Sequence, residues 1–152
     1  MKYLLLPAFL FLSQMVYCCT CLPLGKIDNE QFNKYDLIVK GKVTRIIEEE
    51  KEFKKTIYVK VETWFKGKTR SKTILIETPS QSGACGISPN VGEQWLMFAR
   101  KEEKNYHTTL CTRSKRFISK SNEMKKELEF LERKRKGLPD KKEDQDGNPT
   151  GR

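Results

Sequence analysis

The sequence has a single histidine, His107, among its 152 residues. The usual zinc-protease sites need two or three histidine ligands, so one histidine excludes them. Its neighbours in sequence supply no base or nucleophile, which favours a surface or barrel-lining residue over a catalytic one. Adjacent carboxylates occur in charge runs such as residues 48–50, which are typical of a solvated loop. We therefore predict that the protein is not an enzyme.

Long hydrophobic runs are also missing, apart from one at the N-terminus. Residues 3–12 are mainly apolar and follow Lys2, which is the layout of a signal peptide. The run is shorter than the roughly 20 residues that span a membrane. We therefore expect export without a transmembrane segment.

The end of the predicted signal peptide falls between two cysteines. Cleavage after Cys18 puts Val16 and Cys18 at the positions where signal peptidase accepts small side chains, so residues 1–18 are the predicted signal peptide. The mature, secreted chain would begin at Cys19. A lipoprotein acylated at one of these cysteines, in the periplasm or on a membrane surface, is the less favoured alternative.

Four cysteines remain after this cleavage, an even number that predicts two disulfides in an oxidising compartment. Cys19 and Cys21 stand two apart, point to opposite sides of an extended chain and cannot readily bond each other. Each should reach Cys85 or Cys111, in either of two pairings. The long loops so closed stabilise the fold by about 4 kcal/mol per bond in the chain-entropy model.

The body of the chain is rich in branched residues with the two-residue period of β-strands. The charged residues 48–55 predict a protruding hairpin tip in which Phe53 is the large apolar side chain. Short strands of this number suggest a mainly β protein with a small five-stranded barrel. The predicted strands are residues 37–47, 56–65, 72–78, 93–100 and 106–111.

The composition changes after Arg113, where apolar residues recur at helical spacing. An amphipathic basic helix is assigned to residues 114–137, and the apolar spacing itself fits 117–136. Gly137 and Pro139 end the helix. Residues 138–152 are expected to be a disordered tail, because little in them can be buried.

Basic residues exceed acidic ones, with a formal net charge of +10. Residues 113–152 carry 13 lysines and arginines against eight acidic residues. This difference is more than half of the net positive charge that remains after cleavage. An exported protein rarely meets nucleic acid, so no nucleic-acid partner is predicted. A solvated basic helix is favoured, and attachment to a glycosaminoglycan or another anionic surface is the alternative.

The remaining candidate for a chemical role is the cysteine pair at the predicted mature terminus. An α-amino group has a pKa near 8, so part of it is neutral at physiological pH, and with its own carbonyl oxygen it can chelate zinc. The disulfides would hold this chelate rigid before it binds. An ordinary disulfide-anchored terminus is the alternative, and export argues against reduced cysteines as metal ligands.

Five separated segments carry a resemblance to one family. They are Cys19-Thr20-Cys21 with Pro23; Phe32 with 36–39 and 41–43; 64–67; 78–80 with 84–88 and 91–92; and 107–111. Over residues 19–113 the chain resembles the tissue inhibitors of metalloproteinases, specifically their N-terminal netrin-like (NTR) domain. The resemblance implies an OB-like barrel, with residues 114–152 outside it.

This resemblance also implies a mechanism. Cys19 would chelate the catalytic zinc of a target metalloprotease with its amine and carbonyl, and Thr20 would enter the primed-side pocket. No cofactor of the protein's own is implied, since the zinc belongs to the protease. The hairpin around Phe53 would make a secondary contact. The implied disulfides are Cys19–Cys85 and Cys21–Cys111, and the implied inhibitory ridge comprises Cys19, Thr20, Cys21, Leu22, Pro23, Ser82, Gly83, Ala84 and Cys85.

The chain departs from the family pattern in two ways. A third disulfide is missing, with Asn33 near one expected cysteine position and no cysteine after Cys111. The charged helix and tail stand where the family has a second, cysteine-rich domain. Because netrin-like domains also occur in proteins that inhibit nothing, a non-inhibitory module that binds extracellular polyanions or matrix is the alternative function.

Overall fold

Six strands and two helices make up residues 20–80 and 85–139, the part of the chain that the computed structural model describes. The strands are β1 (Leu37–Glu49), β2 (Lys54–Lys66), β3 (Thr73–Pro79), β4 (Gln94–Glu102), β5 (Asn105–His107) and β6 (Lys115–Arg116), and the helices are α1 (Asn29–Asn33) and α2 (Asn122–Arg135). The first four strands begin and end within two residues of their predicted positions.

The strands close into a barrel. β1 pairs with both β2 and β4, β3 pairs with β2 and with β5 in parallel, and β5 pairs with β4, so a ring runs through five strands. This confirms the prediction of a mainly β, five-stranded OB-like barrel with a C-terminal helix. The short strand β6 adds to the outer edge of β4 and was not predicted.

Strand β1 can pair with two neighbouring strands because it is bent. Its pairing with β2 shifts register at three places, including the step from Lys40 to Gly41. Such irregularities bend a strand and increase its twist. A Cβ at Gly41 would lie 2.6 Å from the carbonyl oxygen of Lys60, so only glycine permits this approach of the two strands.

Two apolar clusters form the core, one inside the barrel and one between the barrel and α2. Residues 37–39 are all buried because alternate side chains of β1 enter the two clusters. The run is therefore continuously apolar, as expected for a strand covered on both faces. The barrel cluster includes Leu37, Val39, Val43, Ile57, Val59, Ile76 and Met97; the cluster under α2 includes Tyr35, Ile38, Phe65, Leu96, Phe98, Met124 and Leu131.

The turn into β4 is organised by one carboxylate. Glu93 accepts hydrogen bonds from the backbone N–H of Asn90 at 3.0 Å and from the indole N–H of Trp95 at 2.9 Å. Because these donors favour the charged form, they lower the pKa of Glu93 to about 2. The turn that precedes β4 therefore keeps its ionised anchor throughout the neutral range.

The helix starts later than predicted. Residues 115 and 116 pair with Leu96 and Trp95 as strand β6, and Ser121 caps α2 by accepting a hydrogen bond from the N–H of Met124. The assignments to 114–137 and 117–136 were therefore wrong at their N-terminal ends. The helix ends near Gly137, whose φ of +66° favours glycine. The predicted tail lies largely outside the described residues.

The fifth strand ends earlier than the predicted 106–111. After His107 the side chain of Thr108 turns inward, and its hydroxyl donates to the carbonyl of Phe98 at 2.9 Å. A turn follows, in which the N–H of Thr112 donates to the carbonyl of Thr109 at 3.0 Å. The chain therefore leaves the sheet, and Cys111 lies in a loop instead of a strand.

Candidate functional site

The N-terminal segment is fastened to the barrel at Cys21. A disulfide joins Cys21 to Cys111, with Cα atoms 5.1 Å apart and a sequence separation of 90 residues. Because Cys111 lies in the loop after β5, this bond brings the start of the described chain to one end of the barrel. The bond is the one that the family resemblance implies.

Apolar side chains are exposed on both sides of this disulfide. Leu22 is 84% exposed and Leu24 44%, while Leu110, the neighbour of Cys111, is 56% exposed. Thr20 and Pro23 are exposed as well. Large aliphatic side chains that cluster in solvent are typical of a protein-binding surface. Leu110 was missed in the sequence because its position was assigned to a strand.

The segment around Cys85 lies beside the same loop. The carbonyl oxygen of Cys85 accepts a hydrogen bond from the N–H of Leu110 at 2.6 Å. The hydroxyl of Thr78, at the end of β3, accepts from the N–H of Ile87 at 3.0 Å. A Cβ at Gly86 would lie 1.8 Å from the carbonyl oxygen of Pro79, so glycine alone fits here. These contacts place Cys85 next to the Cys21–Cys111 disulfide.

The structure therefore brings together two parts of the predicted ridge, residues 20–23 and Cys85. Cys19 and residues 82–84 (Ser82, Gly83 and Ala84) lie outside the described residues. Cys85 is disulfide-bonded. Its predicted pairing with Cys19 stays a prediction.

The hairpin between β1 and β2 reaches the same region. Its tip residue Phe53 is 60% exposed, and its carbonyl accepts a hydrogen bond from the N–H of Ser80 at 2.9 Å. The turn is narrower than predicted and comprises residues 50–53. Lys54 pairs with Glu52 at 2.6 Å, and this hydrogen bond raises the pKa of the lysine. Phe53 thus lies beside Ser80, two residues before the predicted ridge residue Ser82.

Arg113 provides a second attachment point for the N-terminal segment. Its Nη1 donates to the carbonyl of Gly25 at 2.8 Å and also to the side-chain oxygen of Gln31 in α1. Its Nε donates to Oε1 of Glu127 in α2 at 2.8 Å. One guanidinium therefore joins the N-terminal segment to both helices.

This contact is buried and its charges are compensated. Arg113 is 7% exposed and Glu127 is buried. The second carboxylate oxygen of Glu127 lies 2.5 Å from Nζ of Lys115 in β6, and Lys115 also pairs with Glu123. A buried charge is tolerated when it is paired, and every charge in this cluster lies next to an opposite one. No pattern along the sequence pointed to Arg113.

His107 gains a partner from the fold. Its Nε2 lies 3.3 Å from Oε2 of Glu77, because β3 and β5 align these two residues. The adjacent hydroxyl of Thr108 is engaged with Phe98 and Ser114. The arrangement is that of a cross-strand polar pair. In residues 20–80 and 85–139, no group of three or more histidine, cysteine or acidic side chains is arranged to hold a metal ion.

Within the same part of the chain, the helices are too short or too polar to cross a membrane.

Comparison with known proteins agrees with this geometry. A family model described as tissue inhibitor of metalloproteinase matches residues 17–134. The match takes in the fastened N-terminal segment, the barrel and nearly all of α2, so it extends beyond the range in which the sequence motifs were recognised. No curated protein matches the chain. The chain belongs to the family of tissue inhibitors of metalloproteinases, whose members are inhibitors and not enzymes.

Proposed function

We propose that this protein inhibits a zinc metalloprotease by presenting the free amine and carbonyl oxygen of Cys19 to the catalytic zinc of the protease. Family membership supports the inhibitory activity. The observation that carries the mechanism is the Cys21–Cys111 disulfide, which fastens an otherwise exposed segment to the barrel two residues from the chelating position.

Covalent geometry limits how far the chelating groups can lie from this anchor. Two residues of extended chain span at most about 7 Å. The amine of Cys19 therefore stays close to the disulfide, so its position is restricted before the inhibitor binds. A ligand that is ordered in advance loses less entropy on association, so its affinity is higher.

The side chains next to the anchor suit the cleft of a protease. Thr20 is exposed and would enter the primed-side pocket, while Leu22 and Pro23 would lie along the cleft. Leu110 extends this apolar surface on the far side of the disulfide. Residues 82–84 would complete the ridge, since Cys85 lies beside Leu110. Phe53 would make the secondary contact.

The chemistry requires a neutral amine. The protonated form has no lone pair to donate, so binding should weaken as the pH falls below the amine pKa near 8. The Cys19 carbonyl oxygen supplies the second donor without a proton change. A protease zinc with three protein ligands has an open position, which these two donors would occupy in place of water.

Two measurements test this function together. Intact mass and N-terminal sequencing of the secreted protein are expected to show a mature chain that begins at Cys19 with an unmodified amine and two disulfides. The same material is expected to inhibit members of a panel of zinc metalloproteases. An acylated amine, or a mature chain that begins before Cys19, would exclude the chelation mechanism.

One observation favours the polyanion-binding alternative. Lys42 in β1 and Lys60 in β2 are exposed and directly opposite each other, and neither pairs with a carboxylate among the residues that the structure describes. Like charges in this arrangement repel, and a bound polyanion would relieve the repulsion. In α2 and β6, by contrast, Lys115 and Arg135 are already paired with glutamates.

Retention on heparin distinguishes these surfaces. Changing both Lys42 and Lys60 to Gln is expected to lower the salt concentration that elutes the protein, because two charges leave one site. The matched control changes Lys125 and Lys126 of α2 to Gln and removes the same charge. Equal elution shifts for the two variants would assign retention to overall charge. Salt-sensitive retention without inhibition of any protease would favour the alternative function.

A further inference from the structure

We propose that Arg113 is a positioning residue for the protease-binding segment, because it fixes the direction in which residues 20–25 leave the barrel. The inference rests on the proposed function for its effect on inhibition. It concerns a residue outside the predicted ridge and assigns α2 a part in holding that ridge.

The segment is attached at two points. The Cys21–Cys111 disulfide is the first, and the hydrogen bond from Arg113 Nη1 to the carbonyl of Gly25 at 2.8 Å is the second. Between them, residues 22–24 are exposed and make no hydrogen bond with the part of the chain that the structure describes. Among residues 20–80 and 85–139, Arg113 thus provides the one hydrogen-bonded attachment of this segment after the disulfide, as far as Gly25.

One attachment point is not enough to orient a chain. A disulfide has several rotatable bonds on each side of the sulfur atoms, so a segment held only at Cys21 can pivot. A second attachment four residues later removes this freedom. Gly25 itself offers no side chain to pack, and a Cβ at this position would meet no atom within 4 Å, so orientation there depends on the carbonyl contact.

The guanidinium is held rigidly enough to serve as a clamp. Its Nε is bound by Glu127 at 2.8 Å, and the backbone N–H of Arg113 donates to the hydroxyl of Tyr35 at 3.3 Å. Gln31 takes a further contact from Nη1. An arginine fork can satisfy acceptors in several directions at once, whereas a lysine places its donors on a single nitrogen. Arginine is therefore required where Gly25 and Glu127 must be held together.

The test compares R113K with K115Q. R113K keeps a positive charge for Glu127 but cannot span both acceptors. K115Q removes the charge at the other oxygen of Glu127 and leaves the Gly25 contact intact. Both are expected to lower the melting temperature, and only R113K is expected to lower the backbone NMR order parameters of Leu22, Leu24 and Gly25, from about 0.85 to below about 0.6.

Binding kinetics supply the second readout. R113K is expected to dissociate from a susceptible metalloprotease about tenfold faster, with a smaller change in the association rate, because a pivoting segment holds the same contacts less firmly. K115Q is expected to dissociate like the wild type. Unchanged order parameters and dissociation in R113K would overturn the inference, and so would equal changes in both variants.

A double variant covers the case in which R113K does not fold. R113M combined with E127M removes both buried charges together, which often leaves stability intact, and it releases Gly25 in the same way. It is expected to show the same lower order parameters and faster dissociation. If the wild-type protein inhibits no protease, the proposed function fails, and the order parameters alone then decide whether Arg113 positions the segment.

Discussion

Adding one alanine before Cys19 is expected to abolish inhibition while the barrel folds normally. The extension converts the amine of Cys19 into an amide nitrogen, which has no lone pair available for zinc, and places an extra residue where the chelate would lie. The loss should reach about a thousandfold in the inhibition constant, equivalent to roughly 4 kcal/mol. The measurement is titration of a susceptible metalloprotease with each inhibitor.

A matched insertion separates this effect from a general disturbance. The control variant has one alanine inserted between Lys68 and Thr69. This position is in the loop that joins β2 to β3 and is not part of the ridge. The control variant is expected to inhibit like the wild type. The two insertion variants should give the same circular dichroism spectrum and the same melting temperature. Full inhibition by the N-terminally extended protein would rule out the chelation mechanism.

Removing the Cys21–Cys111 disulfide is expected to produce the largest loss of stability. The bond closes a loop with a sequence separation of 90 residues. Constraining such a loop in the unfolded chain contributes about 4–5 kcal/mol to the free energy of unfolding in the chain-entropy model. Small domains have only about 5–15 kcal/mol in total, so a C21A/C111A variant should lose between about a third and nearly all of its free energy of unfolding. Denaturant unfolding of the two proteins measures the difference.

The exposed neighbours of the disulfide provide the control. L22A and L110A shorten side chains that are 84% and 56% exposed, so each is expected to change the free energy of unfolding by less than about 0.5 kcal/mol. Both should nevertheless weaken protease binding, since they remove apolar contact area from the ridge. An unchanged denaturation midpoint in C21A/C111A would mean that the barrel alone supplies the stability.

The strands were predictable because their information is local. In β1 and β2, branched and aromatic residues repeat with the period of the pleat, and the charged tip between them marks the turn. The edges of the helical region were less predictable. Lys115 can continue a helix as well as a strand, and its pairing with Leu96 of β4 decides between the two.

The candidate site also has one part that could be predicted from the sequence and one part that could not. The Cys-x-Cys segment was recognisable because its spacing is unusual and the matching segments occur in the family's order. The exposure of Leu110 was not recognisable from the sequence, because it depends on the hydrogen bonds that turn the chain after Thr108. The structure also supplies the contacts that place Cys85 beside this loop.

The sequence by itself determined the export signal as an expectation, the positions of the first four strands, the small-barrel class and the cysteines at the predicted mature terminus. These follow from periodicity and spacing over a few residues, and from family motifs. The tertiary structure alone decided the second attachment of the N-terminal segment, beyond the disulfide at Cys21. The contact from Arg113 to Gly25 joins residues 88 positions apart. Because such contacts form only when the barrel and α2 pack together, no local pattern in the sequence could have predicted this attachment at Gly25.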